Sequence, residues 1–200
     1  MRILFYDFET TGIPNWKEPS ESQSQPHILE LGAELYDTDT DQVMGSASFL
    51  VKPDGWTVPE EVTALTGITQ DQAERYGVPE DLAIGTLLHL WRQCDKRVGH
   101  NESFDARIAR IAIKRSGREN AELLADEWAS GDALCTMRAS TSICRIQNVS
   151  RGGLKWPKLA EAYLHFTGVE MSNAHRAIDD VRGCRVVYTH LQRMQETLEC

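Results

Sequence analysis

Two acidic side chains near the amino terminus are spaced so that they could bind one metal ion. Asp7 and Glu9 stand two residues apart in a short apolar and aromatic run that predicts a buried strand. Residues i and i+2 of a strand share a face, and burying two unpaired carboxylates is costly unless a cation neutralises them. Carboxylate oxygens favour a hard ion such as Mg²⁺ or Mn²⁺. The alternative is that the strand ends at Asp7 and that both acids are solvated.

A third candidate carboxylate lies in the first turn of the last predicted helix, residues 177–194. At 100° per residue, Asp180 falls within about 50° of the centre of the apolar face, and Asp179 falls nearly opposite. That face consists of Ala177, Ile178, Val181, Cys184, Tyr188 and Leu191. We therefore expect Asp180 to point toward the sheet and Asp179 toward solvent. Stabilisation of the helix dipole would explain Asp179 well and Asp180 poorly.

A fourth acid, Asp105, lies in the first turn of a helix predicted over residues 103–115. Ser103 or Asn101 could cap that helix. An acid in a first turn commonly stabilises the helix dipole, and it could equally bind a metal ion. The sequence pattern leaves these two roles of Asp105 open.

His175 precedes the last predicted helix by about one turn. A histidine in such a position is often a plain surface residue. Beside a metal-bound water it could instead act as the general base, because a neutral imidazole accepts a proton. Both interpretations of His175 stand at this point.

Four basic residues form one stripe along the helix that contains Asp105, beside its apolar face. They are Arg107, Arg110, Lys114 and Arg118. Such a stripe is usually a solvated face. In a chain of net charge −9, a basic stripe that begins at a candidate metal site could also contact a phosphate backbone.

The elements that must position these residues indicate an α/β domain with one central mixed sheet flanked by helices. Strands are predicted over residues 2–8, 28–36, 43–51 and 96–99. Helices are predicted from Pro59, from Thr69, and over residues 80–93, 103–115, 121–128, 138–146, 158–166 and 177–194. The helix over 80–93 is expected to place Leu82, Leu87, Leu88 and Trp91 inward. Residues 13–27 are predicted to be a loop, and no linker divides the chain, so we expect a single domain over residues 1–200.

The composition excludes several classes of protein. The 200 residues are 41% hydrophobic and 26% charged, which excludes disorder or a fibre for the whole chain. No apolar run approaches the roughly 18 residues that a membrane span needs. Asp7 and Glu9 shorten the first apolar run too much for a signal peptide, so we expect a cytoplasmic protein with no membrane partner.

The net charge and the cysteines exclude further classes of protein. The net charge of −9 argues against coating nucleic acid by bulk electrostatics, but not against an enzyme that grips a strand end through metal ions. The cysteines are odd in number and scattered, so we expect free thiols rather than disulfides or a zinc site. They are Cys94, Cys135, Cys144, Cys184 and Cys200.

Four stretches, in order along nearly the whole chain, resemble the motifs of the DEDDh family of 3′–5′ exonucleases, the DnaQ-like group. They are Asp7-Phe8-Glu9-Thr10-Thr11-Gly12, Leu65-Thr66-Gly67-Ile68-Thr69, His100-Asn101-Glu102-Ser103-Phe104-Asp105 and His175-Arg176-Ala177-Ile178-Asp179-Asp180. In the family, the histidine of the last motif stands five residues before its final aspartate. The stretch Cys135-Thr136-Met137 also resembles a recurring family segment.

The resemblance implies a ribonuclease H-like fold and a phosphodiester hydrolase that uses two divalent cations, Mg²⁺ or Mn²⁺. By the resemblance, Asp7, Glu9 and Asp180 hold the first cation. Asp7 bridges to the second, which Asp105 supports. His175 takes the proton from the attacking water. This scheme fits the general chemistry of two-metal hydrolysis.

The resemblance also implies a substrate and a binding set. The substrate is a nucleic acid 3′ end, DNA or RNA, with single-stranded DNA favoured and 5′-monophosphates as products, in proofreading or repair with a polymerase or replication partner. The implied substrate-binding residues are Thr10, Thr11, Gly12, Leu65, Thr66, Asn101 and Phe104. The loop 13–27 follows the first motif and is expected beside the active site, where Trp16 could stack on a base or cover the protein's own surface. The alternatives are an RNA-trimming exoribonuclease and a non-catalytic nucleic-acid-binding module.

Overall fold

The computed structural model describes residues 1–150, 152–172 and 175–199, and its centre is a five-stranded mixed sheet. The strands are β1 (Arg2–Thr10), β2 (Ile28–Asp37), β3 (Gln42–Leu50), β4 (Lys96–Gly99) and β5 (Ala133–Cys135). Their spatial order is β3-β2-β1-β4-β5. The first three strands pair antiparallel, while β4 and β5 run parallel to β1. The predicted α/β class with a central mixed sheet is confirmed.

Helices cover the sheet and close its edges. They are α1 (Glu60–Thr66), α2 (Gln70–Tyr76), α3 (Glu80–Trp91), α4 (Glu102–Arg115), α5 (Ala121–Ser130), α6 (Thr136–Cys144), α7 (Leu159–Thr167) and α8 (Ala177–Glu199). Local sequence determines where α2 begins, because Thr69 and Gln72 form a capping box there. Gly67, with φ of 73°, ends α1 in the left-handed conformation that glycine favours. The predicted helices are all present, with ends shifted by a few residues.

Both faces of β1 are buried, which explains why its sequence is a continuous apolar run. Ile3 and Phe5 pack in one cluster with residues of α8. Leu4 and Tyr6 point the other way, into a larger cluster that includes residues of α3 and α4. A strand enclosed by helices on both sides positions the groups at its end firmly.

Three details of the sequence prediction are wrong. Leu82 is 52% exposed, because α3 turns Ala83, Ile84, Leu87, Leu88 and Leu90 to the core instead. On α8, Ile178 was predicted to be on the buried face but is only half-buried, whereas Val187, which was not predicted there, is buried. The helix also continues to Glu199, beyond the predicted end at residue 194. Strand β5 was not predicted, since three residues are too few to show an alternating pattern.

The cysteine prediction agrees with the structure where the structure describes it. Cys94, Cys135, Cys144 and Cys184 are free thiols, and Cys200 lies outside the described residues. Among the described helices, none is long and apolar enough to cross a membrane.

Candidate active site

Asp7 and Glu9 occupy the carboxyl end of β1, on the face that α8 covers. The strand continues to Thr10 and pairs with β2, placing Asp7 opposite Gly32 and Glu9 opposite Glu30. The alternative that the strand ends at Asp7 is therefore wrong. A Cβ at Gly32 would lie 2.4 Å from the carbonyl carbon of Ala177, so the missing side chain lets the first turn of α8 approach the two acids.

The first turn of α8 and the residues just before it bring a third carboxylate and an imidazole to this point. Potential ligand atoms of Glu9, His175 and Asp180 all lie within 4.8 Å of one another. The backbone N–H of His175 donates to Oδ2 of Asp180 at 3.3 Å, and His175 has a left-handed φ of 72°. The inward direction predicted for Asp180 agrees with this cluster, and its neighbour Asp179 faces Arg182 instead, at 3.3 Å.

Asp105 reaches the same strand from the opposite helix layer. It is only 2% exposed, and its Oδ1 accepts the backbone N–H of Phe8 at 3.1 Å. The pairing of β1 with β4 ends at Phe5, so the edge of β1 beyond it needs another acceptor. Asp105 supplies that acceptor and is thereby fixed beside Asp7.

Neither predicted cap of α4 acts through its side chain. Asn101 is the residue that precedes the helix, but it has a left-handed φ of 69° and makes no side-chain cap bond. Ser103 lies inside the first turn, where it cannot serve as the capping residue. The left-handed turn at Asn101 is the sharp bend that aims Asp105 at β1.

Burial and mutual repulsion raise the pKa values of this acidic group. Burial is the main cause for Asp7, whose pKa lies well above its usual range, with the charges of Asp105, Asp180 and Glu9 adding to the effect. Burial and the charge of Asp180 raise the pKa of Glu9 to about 7. Burial raises the pKa of Asp180 to about 6. Such crowding of carboxylates is what a site for hard divalent cations requires, so the donor set fits Mg²⁺ or Mn²⁺.

A buried acid on β2, which sequence reasoning missed, anchors the first turn of α8. Glu30 accepts from Nη2 of Arg176 at 2.6 Å and from the backbone N–H of Ala177 at 3.0 Å. Further along the same strand, Glu34 pairs with Arg182 and Arg185. The signal was present in the sequence, because two acids on one face of an otherwise apolar strand require basic partners.

A second buried network that sequence reasoning missed fixes α4 against the sheet. The carboxylate of Glu102 accepts from the hydroxyl of Tyr6 at 2.9 Å and from Nε of Arg97 at 2.7 Å. These bonds join β1, β4 and the first turn of α4. They determine where Asp105, one turn further along the helix, meets β1.

The residues implied as substrate-binding divide into two groups. Thr10, Thr11 and Thr66 use their hydroxyls internally, in bonds with Gly12, His27 and Val62 respectively. Leu65 is 57% exposed, a Cβ placed on Gly12 would meet open space, and Asn101 is exposed at the start of α4. Phe104 is half-buried against the main core. The exposed members are free to meet a ligand, whereas the threonines shape the turns that carry them.

The basic stripe on α4 contacts the protein itself rather than lying free in solvent, and its role toward a phosphate backbone stays a prediction. Each cation has an internal partner: Arg107 the carbonyl of Glu18, Arg110 the side chain of Asp126, Lys114 the side chains of Glu21 and Glu122, and Arg118 the carbonyl of Asp81. Two of these partners belong to the loop 13–27. The stripe therefore fastens that loop to the domain.

Gln25 organises the loop 13–27 from inside. Its side-chain amide donates to the carbonyls of Asn15, Glu18 and Pro19, and its Oε1 accepts the backbone N–H of Asn15 at 3.0 Å. Gln25 is buried, whereas Trp16 of the same loop is exposed. At 59% exposure, Trp16 covers little of the protein's own surface, and its stacking on a base stays a prediction.

We expect Gln25→Ala to destabilise the protein by about 1–3 kcal/mol, because several buried backbone groups lose their partner. Urea unfolding with and without the substitution measures the loss. Gln93→Ala is the matched control, since that side chain makes one exposed bond to the carbonyl of His89. Equal effects of the two substitutions would show that Gln25 does not organise the loop.

The family resemblance implies a hydrolytic site, and we expect Asp179→Ala to keep nearly the full rate of that reaction. The side chain pairs with Arg182 on the outer side of α8, and an exposed i, i+3 pair contributes only about 0.3–0.5 kcal/mol. The measurement is the hydrolysis rate compared with that of Asp180→Ala. An inactive Asp179→Ala beside an active Asp180→Ala would mean that the acids of the last motif are assigned in the wrong order.

Comparison with known proteins identifies a family model and solved structures that are similar to this chain. The exonuclease family model RNase_T matches residues 4–187. Solved structures of E. coli Exonuclease I are similar in fold. One in complex with a dA16 oligonucleotide has a TM-score of 0.70 at 20% identity, covering 96% of this chain and 41% of that one. One with a 5cy-dT13 oligonucleotide has a TM-score of 0.74 at 19% identity, covering 98% and 42%.

A third solved structure, a moderately thermophilic Exonuclease I from Methylocaldum szegediense, has a TM-score of 0.69 at 20% identity, covering 98% of this chain and 41% of that one. The chain thus spans about two-fifths of the length of these solved chains. No curated protein sequence matches it significantly. The structural matches confirm the ribonuclease H-like fold expected from the motifs.

Proposed function

The chain belongs to the RNase_T exonuclease family, the DnaQ-like DEDDh group, and from this premise we propose that it is a metal-dependent 3′–5′ exonuclease. Its substrate is single-stranded DNA, and its products are nucleoside 5′-monophosphates. The observation that supports this most is the convergence of Glu9, His175 and Asp180 at the end of β1, with Asp7 and Asp105 beside them. Two backbone hydrogen bonds to Asp105 and Asp180 do not account for the crowding of four acids and a histidine, whereas cation-dependent hydrolysis does.

The proposed metal ligands are the four acids. Asp7, Glu9 and Asp180 would hold one divalent cation, and Asp7 with Asp105 would hold a second. When bound, the two cations supply charge that stabilises the attacking and leaving oxygens of an in-line displacement. The raised pKa values of Glu9 and Asp180 mean that cation binding displaces protons from the site near neutral pH.

His175 is the proposed general base. Its backbone is fixed by the bond from its N–H to Asp180, and its side chain is exposed. The imidazole can therefore reach a water molecule beside the acids and accept its proton as the phosphorus–oxygen bond forms. Glu30 positions this residue indirectly, by anchoring the neighbouring Arg176 and Ala177.

Single-stranded DNA is favoured because the solved relatives include Exonuclease I bound to a dA16 oligonucleotide and in a complex with ssDNA. RNA is the second candidate, since the acidic site itself does not read the 2′-hydroxyl. We place the activity in proofreading or repair in the cytoplasm, alongside a polymerase or replication partner, because a mispaired 3′ end frays into a single strand. A mismatched primer end should then be shortened faster than a paired one.

Digestion of 5′-labelled single-stranded DNA and RNA tests the proposal. With Mg²⁺ or Mn²⁺ we expect a ladder that shortens from the 3′ end, and with EDTA no products. Release of mononucleotides carrying a 5′-phosphate identifies the bond that is cut. Shortening from the 5′ end, internal cleavage, or activity that persists in EDTA would each contradict it. Binding without cleavage under every metal would favour the non-catalytic module.

A further inference from the structure

The residues between β5 and α7 differ in charge from the rest of the chain. Residues 133–160 contain five basic residues and no acidic residue, in a protein whose net charge is −9. The basic residues are Arg138, Arg145, Arg151, Lys155 and Lys158. A stretch of one sign in a chain of the opposite sign points to a ligand of negative charge.

A hairpin presents most of this charge. After α6, Gln147 pairs antiparallel with Leu154, and the backbone N–H of Lys155 donates to the carbonyl of Ile146 at 2.8 Å. We call residues 145–150 and 152–158 the basic hairpin; residue 151 lies outside the described residues. Trp156 on this hairpin is 60% exposed. Exposed aromatic rings beside cations are the usual components of surfaces that bind single-stranded nucleic acid.

The base of the basic hairpin is fastened next to the acidic site. The ring of His100, at the end of β4, bonds to the hydroxyl of Thr136 at 2.9 Å and to the carbonyl of Pro157 at 3.0 Å. Since β1, β4 and β5 run parallel, their carboxyl ends meet at one edge of the sheet. The hairpin and the acids at the end of β1 therefore share that edge, with the end of β4 between them.

Three of the four described cations of this stretch form no ion pair. In the described part of the chain, Arg138, Arg145 and Lys158 are exposed and form no ion pair, while Lys155 pairs with Glu161 at 2.5 Å. By contrast, the basic stripe of α4 contacts internal partners throughout. Unpaired cations can exchange their counterions for phosphates, which drives binding to nucleic acid.

We propose that the basic hairpin, together with Arg138 on α6, binds the single strand upstream of the phosphate that is cut. Arg138, Arg145 and Lys158 contact backbone phosphates, and Trp156 stacks on a base. This inference rests on the proposed function, because it extends the same substrate beyond the acidic site. The basic hairpin and Arg138 would bind long strands, and the acids of β1, α4 and α8 would carry out the hydrolysis.

The test compares a 15-nucleotide and a 3-nucleotide oligo(dT) on the full chain. The triple variant Arg138→Ala, Arg145→Ala, Lys158→Ala should raise the Kd for the 15-mer on the order of tenfold and lower its salt slope by about 2. Trp156→Ala should weaken 15-mer binding about tenfold, and Trp156→Phe should restore most of it. Turnover of the 3-mer should stay unchanged in all three. Fluorescence anisotropy in EDTA measures binding without cleavage.

Three exposed cations at the opposite end of the sheet provide the matched control. Arg2, Arg92 and Arg193 replaced together by alanine should leave the salt slope at its wild-type value. The inference is overturned if the two triple variants have the same Kd and salt slope for the 15-mer. It is also overturned if the hairpin substitutions lower 3-mer turnover as much as they weaken 15-mer binding. If the wild-type chain binds the 15-mer through the hairpin but cuts no substrate under any metal, the proposed function fails and the binding surface stands.

Discussion

Asp7→Asn should abolish hydrolysis and, in the absence of divalent cations, make the protein more stable. Asp7 lies among Glu9, Asp105 and Asp180, and burial together with these charges raises its pKa well above the usual range. Removing its charge relieves repulsion in the cation-free protein and removes a proposed ligand of both cations. We expect a rate loss of about 10³-fold or more, because both proposed cations lose a ligand.

Urea unfolding in EDTA checks the stability half of this prediction. Folded carboxyl groups with raised pKa values bind more protons than the unfolded chain does, so the unfolding free energy falls as pH rises. For Asp180 and Glu9 the change spans their usual 3.8 and 4.5 up to about 6 and 7. We expect wild type to lose on the order of 1–3 kcal/mol between pH 4 and pH 8. Asp7→Asn should lose less.

Addition of Mn²⁺ should reverse that loss for wild type and not for Asp7→Asn. A ligand that binds only the folded state raises the Tm, by an amount that grows with the logarithm of its concentration relative to its Kd. Asp179→Asn is the control, because it removes the same charge from a neighbouring residue that pairs with Arg182 outside the cluster. A pH-independent wild type, or an Asp7→Asn variant less stable than wild type in EDTA, would mean that the acids serve the fold rather than a cation.

Two substitutions of Asp105 separate its effect on hydrolysis from its effect on folding stability. Asp105→Ala loses the bond from the backbone N–H of Phe8, so it combines a structural loss with the loss of a charge. Asp105→Asn keeps an oxygen that can accept that N–H. We therefore expect both variants to be inactive, and only the alanine variant to be destabilised in EDTA.

Local periodicity predicted the directions of three acidic side chains, while their assignment to one site came from the family resemblance. A strand period of 2 placed Asp7 and Glu9 on one face, and the helix period placed Asp180 inward, as the structure has them. Periodicity gives the direction of a side chain on its own element. It gives no distance between elements, so the approach of Asp180 to Glu9 through Gly32 could only be expected from the family resemblance.

Interactions between elements explain the parts that the sequence did not predict. The basic stripe of α4 has the pattern of a solvated face, yet the loop 13–27 folds back onto it, and a loop of that length has no periodic signal. Glu30 was missed because its partner, Arg176, lies far away in sequence and no local pattern connects the two. Leu82 was misplaced since a helix wheel does not say which neighbours will cover its edges.

His175→Ala should lower the rate on the order of 10²–10⁴-fold while cation binding survives. His175 lies within 4.8 Å of Glu9 and Asp180, and its side chain is exposed to water. As the proposed base it removes a proton from the attacking water, which the acids cannot do while they bind cations. The measurement is the hydrolysis rate at saturating Mn²⁺, compared between the variant and wild type.

The left-handed backbone at His175 calls for a second substitution. Alanine is strained at a φ of 72°, whereas asparagine adopts that conformation readily, so His175→Asn removes the base with the least effect on the turn. If His175→Ala and His175→Asn lose the same hydrolysis rate, and added imidazole partly restores it, the loss is due to proton transfer. His89→Ala, at an exposed histidine on α3, should keep wild-type rates. If His175→Asn turned over normally at saturating Mn²⁺, the residue would only space the start of α8, and the water would need another base.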